Sequence, residues 1–217
     1  MTFYQTLQQA TAAERERLFN APIIEACRRG DISRQTYLTF LAQAFYHVRH
    51  TVPLLMATGG KLGQEYEWVR GAIKEYVEEE YGHQEWILND IRACGGDADA
   101  VRHGHPEQPI ELMVAFLYDQ IARGNPMAFF GMVQVLEGTS VAIATTVAGQ
   151  LTSGLGLPPQ AMSYLSSHGA LDQEHLKFFE GLMNRVEQPE DQAAIIHSAK
   201  VVYRLYGDML YSLTERH

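Results

Sequence analysis

Apolar positions recur at helical spacing along most of the chain, and between Arg123 and Asp172 they merge into a stretch with one formally charged side chain, Glu137. Its centre, MAFFGMVQVLEGTSVAIATTVAGQL, is apolar or small nearly all round. Asn125-Pro126 supplies a helix start, because Asn caps free N–H groups and Pro is tolerated at the first helical position. No breaker follows until about Gly149, so the pattern predicts a long helix without a polar face. Such a helix is a core helix or a membrane span. An unpaired carboxylate in either setting is costly, so Glu137 must be protonated, ion-paired or bound to a metal.

The remaining periodicity is also helical, and no strand alternation competes with it. Helices are predicted over about 3–18 and from Pro22 to about Arg29, the latter closed by Gly30. Ser33 caps a long helix over 34–58, kinked at Pro53 and ended by Gly59-Gly60. Another helix covers about 64–93 and closes at Gly95-Gly96, and a polar stretch, Asp97 to Gln108, leads to a helix over 110–122. Beyond Gly154, Gly156 and Pro158-Pro159 come segments at about 160–167 and 170–185. The last helix opens at Gln188-Pro189 and carries Ile196, Ala199, Tyr203, Tyr206 and Leu210 inward. With no internal repeat and no linker, the expectation is an all-α, single-domain helical bundle over 1–217.

Composition narrows the setting. The chain has 217 residues, 46% hydrophobic and 20% charged, in the range of soluble globular proteins. A formal charge of −9 without a Lys/Arg cluster argues against nucleic-acid or anionic-membrane partners. No basic segment followed by an apolar one opens the chain, and the polar side chains within 127–151 are too many for a lone membrane span. Cys27 and Cys94 stand isolated, as in a reduced, cytoplasmic protein.

The candidate chemistry lies on inward stripes. In VEEEYGHQEW the stripe Val69, Ile73, Tyr76 continues through Glu80 and His83 to Ile87, so a carboxylate and an imidazole three apart occupy positions that call for hydrophobes. Glu78 and Glu79 read as solvated. In SHGALDQEHLKFFEGL, the residues His168, Asp172, His175 and Phe179 follow steps of four, three and four along one helix face. Two carboxylate-x-x-His pairs plus Glu137 and His168 make the residue pattern of a di-iron carboxylate site in a helical bundle. Carboxylates offset the charge of two metals and imidazoles complete each iron, while the lack of thiolate disfavours structural zinc. Chance can supply such pairs among 26 acidic residues and nine histidines, so their position on inward stripes carries the argument. His47 reads as a cavity wall or an orienter of a ligand, and Tyr46, Tyr203 and Tyr206 as core or pocket lining. His50 is given no role, and His103, His105, His197 and His217 read as surface.

These residues resemble the TenA/PqqC-like superfamily, which has the haem-oxygenase-like fold, and within it the haem-oxygenase-like di-iron oxidases of the UndA and CADD type. The likeness spans nearly the whole chain in helix order, and its most specific motif is His-x3-Asp-x2-His, met by His168, Asp172 and His175. The resemblance implies six iron ligands, Glu80, His83, Glu137, His168, Asp172 and His175, with Glu137 bridging. It also implies two iron ions, one of them labile, O2 activation and a homodimer. Some members add a carboxylate near the position of Tyr46-His47, where this chain has none and His47 is the available substitute. TenA-type thiamin hydrolases place an Asp after a Gln on that helix and a Cys in the central one. Here Gln43 is followed by Ala44, and the central helix has no Cys. A proximal His for haem would lie on an early helix, and none precedes His47.

The expectation is therefore a non-haem di-iron oxidase or oxygenase acting with O2 on a small organic acid, amine or amino-acid-like substrate. Its cavity is expected beside Gly138, Ala142 and Ala144. The alternatives are a metal-free TenA-like hydrolase or binding protein for a thiamin-like heterocycle, a PqqC-like cofactorless oxidase, or a helical protein in which the pairs are structural.

Overall fold

The computed structural model describes residues 1–213, the side chains of 144–155 and 167–174 excepted. Every regular element among the described residues is a helix. In chain order these are α1 Phe3–Ala10, α2 Ala12–Phe19, α3 Pro22–Arg29, α4 Arg34–Val48, α5 Thr51–Lys61 and α6 Glu67–Glu80. There follow α7 His83–Ala93, α8 Ala98–His103, α9 Gln108–Arg123, α10 Phe129–Leu155, α11 Ser163–Met183 and α12 Pro189–Ser212.

Local chemistry accounts for the helix ends. The Ser33 hydroxyl accepts the Thr36 N–H at 3.0 Å to start α4. Gly30 (φ 69°) closes α3 in the left-handed conformation. Asn125 accepts the Met127 N–H, and a 3-10 turn from Pro126 to Ala128 leads into α10. The start of α11 is capped from another helix: Asp90 of α7, fully buried, accepts the N–H groups of Ser163 at 3.1 Å and Tyr164 at 2.8 Å. Burial pushes the Asp90 carboxyl above its usual range, partly offset by these bonds.

Three predicted helices are each two in the structure. The 3–18 pattern breaks at Thr11, whose hydroxyl donates to the Leu7 carbonyl at 2.8 Å. The 34–58 helix breaks at Arg49-His50 rather than at Pro53. Pro53 falls in the first turn of α5, where its missing N–H is not needed, and α5 runs through Gly59-Gly60 to Lys61. The 64–93 helix breaks at Tyr81-Gly82, with Gly82 at φ 93°. Conversely, the segments on either side of Gly169 form one helix, α11, and the polar stretch after Asp97 contains α8.

α10 is the axis of the bundle, packed by α11, α12 and α3, while α4 lies on α7 and α5 on α6. Gly131 permits the closest crossing: a Cβ there would stand 2.5 Å from the Ala199 nitrogen and 2.8 Å from the Ile195 carbonyl of α12. Pro126–Ile143 is the one described stretch long and apolar enough to cross a membrane, and 56% of it is buried against its neighbours. Apolar side chains at this helical register put α10 in the core.

Candidate metal centre

α6 ends on three consecutive glutamates, Glu78 to Glu80, with no basic residue in its last turn. Carbonyl ends already make a helix C-terminus negative, so this end of α6 favours a cation. Glu80 is the last residue of α6 and His83 the first of α7. They are not on one helix face, as their spacing suggests. The turn at Tyr81-Gly82 brings them together instead, with His83 Nδ1 3.1 Å from Glu80 Oε2. The His83 ring also stacks on Trp86, centroids 4.0 Å apart.

Glu137 projects from α10 and His175 from α11, with His175 Nδ1 3.8 Å from Glu137 Oε1. The other ring nitrogen, Nε2, is 2.8 Å from Glu79 Oε2. When Nε2 donates to Glu79, a neutral ring carries its lone pair on Nδ1, the side facing Glu137. Glu79, read from the sequence as solvated, is half exposed and also reaches the ring of His175. Its position gave no warning, because it lies off the inward stripe. Gly82 inside the helical pattern did signal a break, which lets the last turn of α6 reach over α11.

A cavity of about 60 Å³ reaches two of these groups, Glu80 and Glu137, while Glu79, His83 and His175 are not among its described lining residues. Glu80 and Glu137 line it from α6 and α10, His47 from α4 and Tyr76 from α6. His47 is buried and meets the edge of Tyr206, centroids 5.7 Å apart. Tyr76 is buried and meets the His175 ring at 6.2 Å. His168 and Asp172 fall on α11, but their side chains lie outside the described residues. Among the described residues no three His, Cys, Asp or Glu side chains form a closed metal-binding group.

A second cavity, of about 90 Å³, adjoins the first and is bounded by α3, α4, α10, α11 and α12. Leu136, Ser140 and Tyr164 line both. Tyr206 lines the second cavity, whereas Tyr46 packs on Phe45 beneath Arg49 and lines neither. Tyr203 is buried in the core, where desolvation raises its phenol pKa. Gly138 and Ala142, read as making room for substrate, line neither cavity; Thr139 and Ile143 wall the second one instead. Ala144 and His217 lie outside the described side chains. His103, His105 and His197 are exposed, as expected, and His50 meets the Tyr118 hydroxyl at 3.1 Å.

Solved structures share this fold at low identity. A domain of unknown function with a haem oxygenase-like fold from Shewanella denitrificans matches with TM-score 0.85 and 21% identity, over 99% of this chain and 93% of that one. A TenA homologue from Pseudomonas syringae pv. tomato matches with TM-score 0.80 and 12% identity, over 98% and 93%. A CADD-like protein of unknown function from Nostoc punctiforme matches with TM-score 0.74 and 16% identity, over 98% and 96%. No curated protein matches the sequence. The bundle thus has the haem-oxygenase-like fold. The model of one family, described as iron-containing redox enzyme, matches residues 38–207, from the first turns of α4 to the last of α12, and this chain belongs to that family.

Proposed function

We propose that this protein is a non-haem di-iron oxidase or oxygenase that uses O2 to oxidise a small organic acid or amine. The observation that carries the reading is the placement of two largely buried carboxylates, Glu80 and Glu137, on the wall of one cavity. Like charges facing one enclosed space repel unless a proton or a cation stands between them. The donor chemistry fits iron: two carboxylates and the His47 imidazole line the cavity, the His83 and His175 rings stand beside those carboxylates, and neither Cys27 nor Cys94 lines it.

Glu80, His83, Glu137 and His175 would hold the metal, and His168 and Asp172 are proposed as the remaining ligands. Reduced iron, when bound, supplies the electrons that activate O2. Glu79 keeps the Nε2 proton of His175 occupied and so turns the Nδ1 lone pair toward Glu137. His47 and Tyr76 close the cavity wall with buried rings that exclude bulk water. Gln43, beside the position where TenA-type hydrolases keep an acid, spends its Oε1 on the Glu107 N–H at 2.9 Å.

Reconstitution with iron(II) under anaerobic conditions, metal analysis and then mixing with O2 tests the proposal. The expected result is about two irons per chain and a transient visible absorption on mixing. Absence of iron uptake would overturn it, and metal-free turnover of a thiamin-like heterocycle would favour the hydrolase reading.

A further inference from the structure

A cleft of about 520 Å³ opens where the turn before α6, Asn125 ahead of α10 and the α11–α12 connection meet. It continues into a space of about 340 Å³, and Glu65, Tyr66, Asn125 and Asp191 line both. The cleft is remote from the metal centre: its Trp68 stands about 18 Å along α6 from Glu80.

Asp191, in the first turn of α12, is 4% exposed and accepts the Tyr66 hydroxyl at 2.9 Å and Asn125 Nδ2 at 2.7 Å. Burial and the bond to Asp191 push the Tyr66 phenol up to about 12, so it stays a donor. Both donors are neutral, and each carboxylate oxygen keeps room for a further one. In the same cleft the Arg185 guanidinium lies 4.6 Å over the Trp68 ring. Among the described residues it makes no hydrogen bond or ion pair, although Glu65, Glu187 and Glu190 also line the cleft. Contact with the ring restricts the guanidinium and leaves its N–H fork available to a carboxylate.

We infer that this cleft binds a small zwitterion, its carboxylate on the Arg185 fork and its ammonium against Asp191 and the acidic rim. A cation alone would leave the Arg185 donors unused and be repelled by them. An anion alone would face four carboxylates. A molecule that carries both charges answers both. The carboxylates do not close on a metal ion, since no three acidic or imidazole side chains group for one among the described residues. The inference goes beyond the redox reading and does not depend on it.

The test titrates the full-length protein by calorimetry with ω-amino acids from β-alanine to aminooctanoate. One length is expected to bind best, and the alkanoate and alkylamine of that length to bind about tenfold or more weaker. Arg185→Gln, at an exposed position, should keep the wild-type circular dichroism and melting temperature. It should weaken the zwitterion about tenfold or more and leave the alkylamine bound at least as well. Asp191→Asn should abolish binding of the zwitterion. Because it also disturbs the bonds from Tyr66 and Asn125, Glu65→Gln, at an exposed position, repeats the test and should weaken the zwitterion about two- to fivefold. The inference is overturned by no saturable binding of any length up to about 10 mM. It is equally overturned by an alkylamine or alkanoate that binds as tightly as the zwitterion, or by an affinity that neither Arg185→Gln nor Glu65→Gln lowers.

Discussion

Glu79 and His175 meet across the α6–α11 contact with Oε2 and Nε2 2.8 Å apart, while the opposite nitrogen of the same ring is 3.8 Å from Glu137. One imidazole thus links a half-exposed carboxylate to a buried one. Carboxylates in this relation to a ligating imidazole set its tautomer and basicity. Glu79→Ala is expected to lower iron(II) affinity about 10- to 100-fold, and Glu79→Gln, whose Oε1 still accepts the Nε2 proton, to retain most of it. Anaerobic titration followed by metal analysis measures both. Equal affinities for wild type and Glu79→Ala would remove Glu79 from the site.

Glu137 is the one formally charged residue of the central stretch, and its side chain is 11% exposed. Ligand binding to the folded state alone stabilises by about 2.7 kcal/mol at a hundredfold excess over Kd. Manganese(II), a redox-quiet stand-in for iron, is expected to stabilise the wild type by about that amount in urea unfolding. Glu137→Gln should lose most of the gain. A variant stabilised as strongly as the wild type would show that the metal binds elsewhere.

The α10–α12 crossing depends on the absence of a β-carbon at Gly131, which would otherwise meet the backbone at Ala199 and Ile195. Backbone cannot yield as a flexible side chain does. Gly131→Ala is therefore expected to cost about 1–3 kcal/mol, whereas Gly181→Ala, where nothing lies within 4 Å, should cost nothing or stabilise α11. Urea midpoints for the two variants decide the point.

Burial pushes the Cys27 thiol up to about 11. The sign follows from desolvation, which disfavours the thiolate in the folded chain. Iodoacetamide should react slowly at pH 8, and its rate should keep climbing beyond the usual thiol range, levelling near pH 11. The same shift makes the neutral thiol a stabilising group below the unfolded thiol pKa. That contribution is lost as pH rises from there toward about 11. Cys27→Ser should flatten this part of the stability profile.

The all-α class and the central position of α10 were legible because Glu137 stands alone in a run too apolar to face water. The breaks were less so. Arg49 and His50 are ordinary helix residues, and Pro53 drew the expected kink to itself although the first turn of a helix accommodates it. Glu80, His83 and His175 could be picked out as residue types on inward stripes and Glu137 as the lone charge of the central run, but the geometry that joins Glu80 to His83 is a turn, not a helix face. Glu79 could not be picked out at all, since periodicity describes the middle of a helix and not how its last turn leans over a neighbour. The second cavity draws on α3, α4, α10, α11 and α12, and no local pattern announces a space shared by five segments.

The joint at Gly82 has a mechanical consequence. Glu80 and His83 ride on two rods joined by extended Tyr81 and left-handed Gly82, so their bite is set by the backbone of that two-residue turn. In the proposed metal centre, a claw hinged in this way would adjust to ions of different radius, and would release one, while both rods keep their seating in the bundle.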